Sequence, residues 1–197
     1  MPRRLARILG IICGPPLIPI ALISLTIAYS GEPLRTRDVV AFVLCLAVLP
    51  AFIVYGAYRV GYVSNLGMPD RRPRVLLATI SLACALLSVV ALSTLGAASI
   101  LIALAAGISL QMFVLDLLTM RTKVSYHSAG TGLLTVAGLY LGGPSLAVPL
   151  GAVALATGWS RWYLGKHTVR QIALGFASSL ALAAWLYDLA GRTGFLY

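Results

Sequence analysis

Apolar residues in this chain gather into long unbroken runs instead of alternating with polar ones. Seven runs can be drawn, at about 8–29, 39–63, 75–94, 97–120, 128–141, 145–159 and 168–189. Most approach the roughly 20 residues that a helix needs to cross bilayer hydrocarbon. Strands of a membrane barrel would show as segments of about ten residues that alternate apolar and polar positions, and none do. The pattern therefore predicts one all-α domain over residues 1–197, a polytopic helical bundle of about seven transmembrane helices, six being possible. Leu95-Gly96 and Gly142-Gly143-Pro144 leave room only for tight hairpins, while Pro15, Pro16, Pro19 and Pro50 predict kinks. No internal repeat, long linker or soluble domain is visible.

The amino-terminal stretch Arg3-Arg4-Leu-Ala-Arg7 and its apolar run look like a secretory leader, with Ala28-Tyr-Ser30 a passable cleavage site. The run is as long as a full span, which favours an uncleaved first helix. Composition agrees with a membrane protein: 60% of residues are hydrophobic and 10% charged, at a mean hydropathy of +0.96. Net charge is +10, from fifteen Lys and Arg against five Asp and Glu. In a soluble chain that balance would suggest nucleic acid. Here the basic residues fall between apolar runs, where lipid headgroups and membrane topology explain them without nucleic acid. Cys13, Cys45 and Cys84 sit inside apolar runs with no metal-ligand spacing, so neither a metal nor another cofactor is expected.

The basic residues cluster in three polar islands. The first, residues 64–74, carries Arg71, Arg72 and Arg74. The second, 121–127, carries Arg121, Lys123, Ser125 and His127. The third, 160–171, carries Ser160, Arg161, Lys166, His167, Arg170 and Gln171. Threading seven spans puts the amino terminus and all three islands on one face, with twelve Lys and Arg, against three (Arg35, Arg37 and Arg192) on the other. The positive-inside rule makes the island face cytoplasmic and the protein a multi-pass component of the cell membrane. If the eight island cations are set aside as binding residues, four remain against three. Convergence of the islands is the firmer inference. Charge is costly in hydrocarbon, so such clusters belong at a membrane–water boundary or in a hydrated cavity.

An anion site, with a lipid phosphate as its ligand, accounts for this arrangement. Gln171 follows His167 by one helical turn, so its carbonyl can accept the ring's Nδ1–H and leave Nε2 free to attack phosphorus. Ser125 and His127 open the fifth helix before the small-residue stretch Ser128-Ala-Gly130-Thr-Gly132, where free amides face a bound anion. Arg161, Arg71, Arg72, Arg74 and Lys123 can clamp phosphate oxygens, and His127 can protonate the leaving oxygen. Simpler roles stand beside these. A histidine at a helix end is commonly a solvated cap, and the arginines of the first island could serve topology alone. Lys166 and Arg170 are read as headgroup contacts, and Asp116 as a partner for an island arginine. Trp159, Trp162, Tyr126 and Tyr163 are read as interfacial belt residues.

At Ser160-Arg161, five residues, His167, three residues and Gln171, the chain resembles the type 2 phosphatidic acid phosphatase superfamily, whose third motif ends in Asp instead of Gln. Members resembling dolichyl-diphosphatase carry Gln in a Tyr-Leu-x-x-His-Thr-x-x-Gln context similar to Tyr163–Gln171. Lys123-Val-Ser125-Tyr-His127 is similar to a Lys-Val-Ser-x-His form of the second motif. The first motif would fall on Asn65 and Arg72-Pro73, with its lysine missing. The resemblance covers residues 64–171 and implies a metal-independent phosphatase. His167 would form a phosphohistidine, His127 would act as general acid, and Ser160 would stand among the phosphate ligands. It further implies a polyprenyl diphosphate as substrate. The alternatives are a phosphatidate or phosphatidylglycerophosphate phosphatase, or a lipid-phosphate binding or transport protein without turnover.

Overall fold

Proline and glycine decide where the apolar runs bend. A computed structural model describes residues 2–65 and 70–193, with side chains described up to Trp185. The first run is a broken pair. Helix α1 (Pro2–Ile12) ends ahead of Gly14, a 3₁₀ turn over Pro15–Leu17 follows, and α2 (Ile18–Tyr29) leaves at 48°. Pro15 and Pro16 bring no backbone N–H to continue the ladder, so the expected kink is a full interruption. In the second run, α3 (Thr36–Val43) passes through a wider π turn at Leu44–Val48 into α4 (Leu49–Arg59). Pro50 cannot donate to the carbonyl four residues back, and the extra residue in the turn absorbs that loss.

Helix α5 (Arg71–Thr94) begins four residues ahead of its apolar run, with Asp70 extended at its amino end. Arg71, Arg72 and Arg74 therefore ride on the first helical turn and not in a loop. Gly96, at φ +59°, turns the chain into α6 (Ser99–Thr119). Helix α7 (Tyr126–Gly142) is followed at once by α8 (Pro144–Tyr163), with Gly143 left-handed and Pro144 at the first helical position, where its missing N–H costs nothing. Helix α9 (Val169–Thr193) closes the described chain. Each predicted run is helical, and no strand forms among the described residues.

By length and composition, Thr36–Arg59, Arg71–Thr94 and Ser99–Thr119 are able to cross a membrane, and the bent Pro2–Tyr29 pair makes a fourth if it acts as one span. Large side chains face outward along the bundle, among them Phe52 at 74% and Leu155 at 71% exposure, as lipid-facing positions require.

Helix α6 is the most enclosed element. Leu101 and Leu104 on it pack with Leu22, Phe42, Leu92 and Leu182 in the main core. Polar ties cross this apolar interior, where an unpaired amide would be costly. Gln111 Nε2 donates to the Ala129 carbonyl at 3.0 Å and to Ser178 Oγ at 3.2 Å, linking α6, α7 and α9. Trp185 Nε1 donates to the Ala103 carbonyl at 3.0 Å. At one end of the bundle, Arg37 pairs with Asp38 at 3.2 Å and donates to the Leu95 carbonyl at 2.5 Å. At the other end, Arg71 donates to the Met120 carbonyl, joining the first island to the second.

Candidate functional site

Two local motifs explain the spacing of the third island. Helix α8 ends in a Schellman turn: Gly165, at φ +64°, donates to the Trp162 carbonyl at 2.9 Å, and Lys166 N–H donates to the Arg161 carbonyl at 3.0 Å. His167 N–H bonds to that same carbonyl at 3.3 Å, which folds the histidine back beside Arg161. A capping box then starts α9. Thr168 Oγ1 accepts from Gln171 N–H at 3.3 Å, and Gln171 Oε1 accepts from Thr168 N–H at 3.2 Å. His167 thus lies just ahead of the helix instead of inside it. Its Nδ1 still lies 3.3 Å from Gln171 Oε1, so the ring donates there and Nε2 is the free nitrogen.

The second island is fastened to the third through backbone. Ser125 N–H donates to the Gln171 carbonyl at 3.2 Å, and Gly175 lets α9 press against this turn. A Cβ at Gly175 would lie 2.5 Å from the Ser125 carbonyl oxygen. Ser125 caps α7, accepting from Ser128 N–H at 3.3 Å and Ser128 Oγ at 2.9 Å, and is fully buried. Its hydroxyl completes the helix end.

Helix α1 supplies the side of the site that the island pattern does not reveal. His127 Nε2 bonds to the Gly10 carbonyl at 3.0 Å, and Ser160 Oγ donates to the Ala6 carbonyl at 2.6 Å. Arg161 lies against the same helix, since a Cβ on Gly10 would come within 2.5 Å of its Nη1. Ser160 is fully buried with its only proton given to α1, so the phosphate contact expected of it is replaced by a helix contact.

Positive charge accumulates here, with Lys123, Arg161 and Arg74 near one another. Burial and then the neighbouring Lys123 and Arg161 hold His167 down at about 4, so its ring is neutral at physiological pH. His127 pushes the ring of His167 in the same direction, so the two histidines lie near enough to act on each other. Lys123 is itself pushed down, first by burial and then by Arg74, Lys166 and Arg161. The Arg37–Asp38 ion pair, at 3.2 Å, lies at the opposite end of the bundle. Arg161 Nε is buried with no hydrogen-bond partner. Half-buried cations packed together in this way favour a bound anion.

Of the first island, Arg74 is half-buried and close enough to act on Lys123, Arg71 is spent on the Met120 carbonyl, and Arg72 is exposed. The motif position at Arg72 is thus not the one that approaches the cluster. Residues 66–69, in the middle of this island, lie outside the described residues, as do the side chains of Asp188 and Arg192. Lys166 and Arg170 are exposed. Asp116 forms no ion pair with an island arginine. It is buried with Oδ1 unpartnered, and its carboxyl interacts with Thr79 on α5. Among the described residues no three His, Cys, Asp or Glu side chains gather as metal ligands.

The contributions of Ala6, Gly10, Gly165 and Thr168 were not anticipated. The capping box was legible as Thr168-x-x-Gln171, and Gly165 as a residue following a helix. Ala6 and Gly10 carried only a faint signal, two small residues four apart in an otherwise bulky helix. No protein-family model matches the chain, and neither a curated protein nor a solved structure shows detectable similarity to it.

Proposed function

We propose that the chain is a membrane-embedded lipid phosphatase that hydrolyses a polyprenyl diphosphate through a phosphohistidine on His167. The observation that carries this is the His167–Gln171 contact inside the cationic cluster. It holds a neutral imidazole with Nε2 free, beside Arg161 and Lys123, which can bind phosphate oxygens. Nε2 attacks phosphorus, the bond to the leaving oxygen breaks, and that oxygen takes a proton from His127. Water then attacks the phosphohistidine, giving its proton back to His127 as the P–N bond breaks and phosphate leaves.

An open apolar groove of about 690 Å³ between α7, α8 and α9 supports a lipid substrate. It begins at Gly132 and Phe176, on the helices that carry His127 and Gln171, and continues past Val148 and Leu155. A prenyl or acyl tail fits its chemistry. In this proposal all seven apolar runs cross or enter the bilayer, the islands face the cytoplasm, and α7 to α9 form the catalytic core.

The test is phosphate release by detergent-purified protein from a polyprenyl diphosphate and, separately, from phosphatidate. His167→Ala is expected to abolish turnover and the trapped phosphoenzyme, and retained activity would remove His167 from its role. A second reading, a lipid-phosphate binding protein, is favoured by one observation: Gln171 already serves as a helix cap, so its presence is explained without catalysis. Absence of turnover by the native protein on either lipid, with binding retained, would establish that reading.

A further inference from the structure

Helix α1 is built for two partners at once. On a helical wheel, Ala6 and Gly10 share the face that meets α8, and Ala6 is fully buried there. Flanking them on one side are Leu5, Ile8 and Ile12, all more than half exposed, and on the other Arg3, Arg4 and Arg7, also exposed. The helix contains no acidic residue. An exposed apolar strip beside a cationic strip is the surface of a helix that lies in the interface of an anionic bilayer.

The inner face is engaged differently. A helix ends with carbonyls that lack intrahelical partners and carries partial negative charge there. In α1 the Gly14 N–H turns to the Ile11 carbonyl at 3.0 Å, which leaves the Gly10 carbonyl without a backbone donor. His127 Nε2 takes that place at 3.0 Å, and Arg161 packs against the same residue. The negative end of α1 therefore stands where an anion's oxygens would meet His127 and Arg161. Beyond it come Gly14 and the 3₁₀ turn, where α1 and α2 meet at 48°.

We propose that α1 is a detachable cover over the cationic site, that its carboxyl-terminal carbonyls compete with the phosphate group for His127 and Arg161, and that an anionic lipid surface draws it off by binding Arg3, Arg4, Arg7 and the apolar strip. This regulation rests on the anion-site reading above. It does not require that the site turn over substrate. These side chains are exposed with α1 in place, so the surface acts through its higher affinity for α1 lying flat in the interface, and the equilibrium shifts by that difference.

The experiment reads cover position and anion binding separately. Full-length protein is placed in phosphatidylcholine nanodiscs, with or without phosphatidylglycerol. Carbethoxylation of His127 by diethyl pyrocarbonate is followed by peptide mass spectrometry, and orthovanadate affinity is measured in parallel. His127 is expected to react slowly in phosphatidylcholine and faster with phosphatidylglycerol, and vanadate affinity is expected to rise on the order of tenfold. Ala6→Leu, which wedges α1 from α8, is expected to give the fast rate in both membranes.

The triple variant Arg3→Gln/Arg4→Gln/Arg7→Gln changes only exposed side chains. It is expected to keep the slow rate even with phosphatidylglycerol. Equal His127 reactivity in both membranes for the native protein would overturn the proposal, and so would a lipid response that survives in the triple variant. If neither lipid substrate is hydrolysed yet these differences appear, the cover stands and the phosphatase reading falls. Turnover with no change in His127 reactivity gives the reverse.

Discussion

Oε1 of Gln171 lies 3.3 Å from Nδ1 of His167, and the same oxygen receives the backbone N–H of Thr168 at 3.2 Å. One amide thus holds both a helix end and the ring proposed as nucleophile. Gln171→Ala is expected to cost about 1 kcal/mol of stability through the lost cap. It should lower phosphate release at least about tenfold through the lost orientation of the ring. Gln171→Glu keeps the acceptor, so its melting temperature should stay near that of the native protein, while its carboxylate favours the charged ring. Thermal melts and phosphate assays on the pair separate the two duties.

The ordinary histidine value is near 6.5, and His167 is held at about 4 by burial together with Lys123 and Arg161. The nucleophilic form is the neutral ring, which is present above that value and lost as pH falls through it. His127, the proposed proton donor, is also held at about 4, by burial and then Arg161, so turnover of the native protein should rise as pH falls from 7 and fail only below about 4. Lys123→Gln removes one of the charges that depress His167. The acid limb of kcat/KM should move to higher pH, and a limb that stays in place would remove Lys123 from the cluster.

Ser160 and Arg161 are neighbours in sequence with opposite expected effects. Arg161→Ala removes a charge-assisted contact to phosphate, so vanadate binding should weaken about tenfold to a hundredfold. Ser160→Ala removes only the 2.6 Å bond to Ala6, and vanadate binding should hold or tighten. Equal losses in the two variants would return Ser160 to the phosphate ligands.

A Cβ at Gly175 would meet the Ser125 carbonyl oxygen at 2.5 Å, and backbone cannot move aside as a flexible side chain can. Gly175→Ala should cost about 1–3 kcal/mol and lower the melting temperature in detergent. Gly151→Ala is the control, because its new methyl would meet nothing closer than Thr135 Cγ2 at 3.7 Å.

Much of this architecture was legible residue by residue. Apolar runs became helices because a buried or lipid-facing backbone must satisfy its own hydrogen bonds. The Leu95-Gly96 and Gly143-Pro144 turns followed from glycine's access to positive φ and proline's fixed φ. The first island was misplaced by one turn, since Arg71 to Arg74 extend α5 instead of preceding it. Hydropathy marks where a helix becomes apolar, not where its backbone begins. Which of Arg72 and Arg74 faces inward depends on the helix's rotation against its neighbours, and Arg74 is the half-buried one.

Local spacing along the chain is enough to specify the helical runs, the basic islands between them, and the turn from Arg161 through Gly165 to Thr168 that sets His167 against Gln171. What covers these residues follows from long-range packing. His127 meets a carbonyl 117 positions earlier, and Ser160 one 154 positions earlier. Such contacts leave no period in the chain. They arise because Ala6 and Gly10 are small enough for α1 to lie against α8, so that the Gly10 and Ala6 carbonyls meet the buried His127 and Ser160.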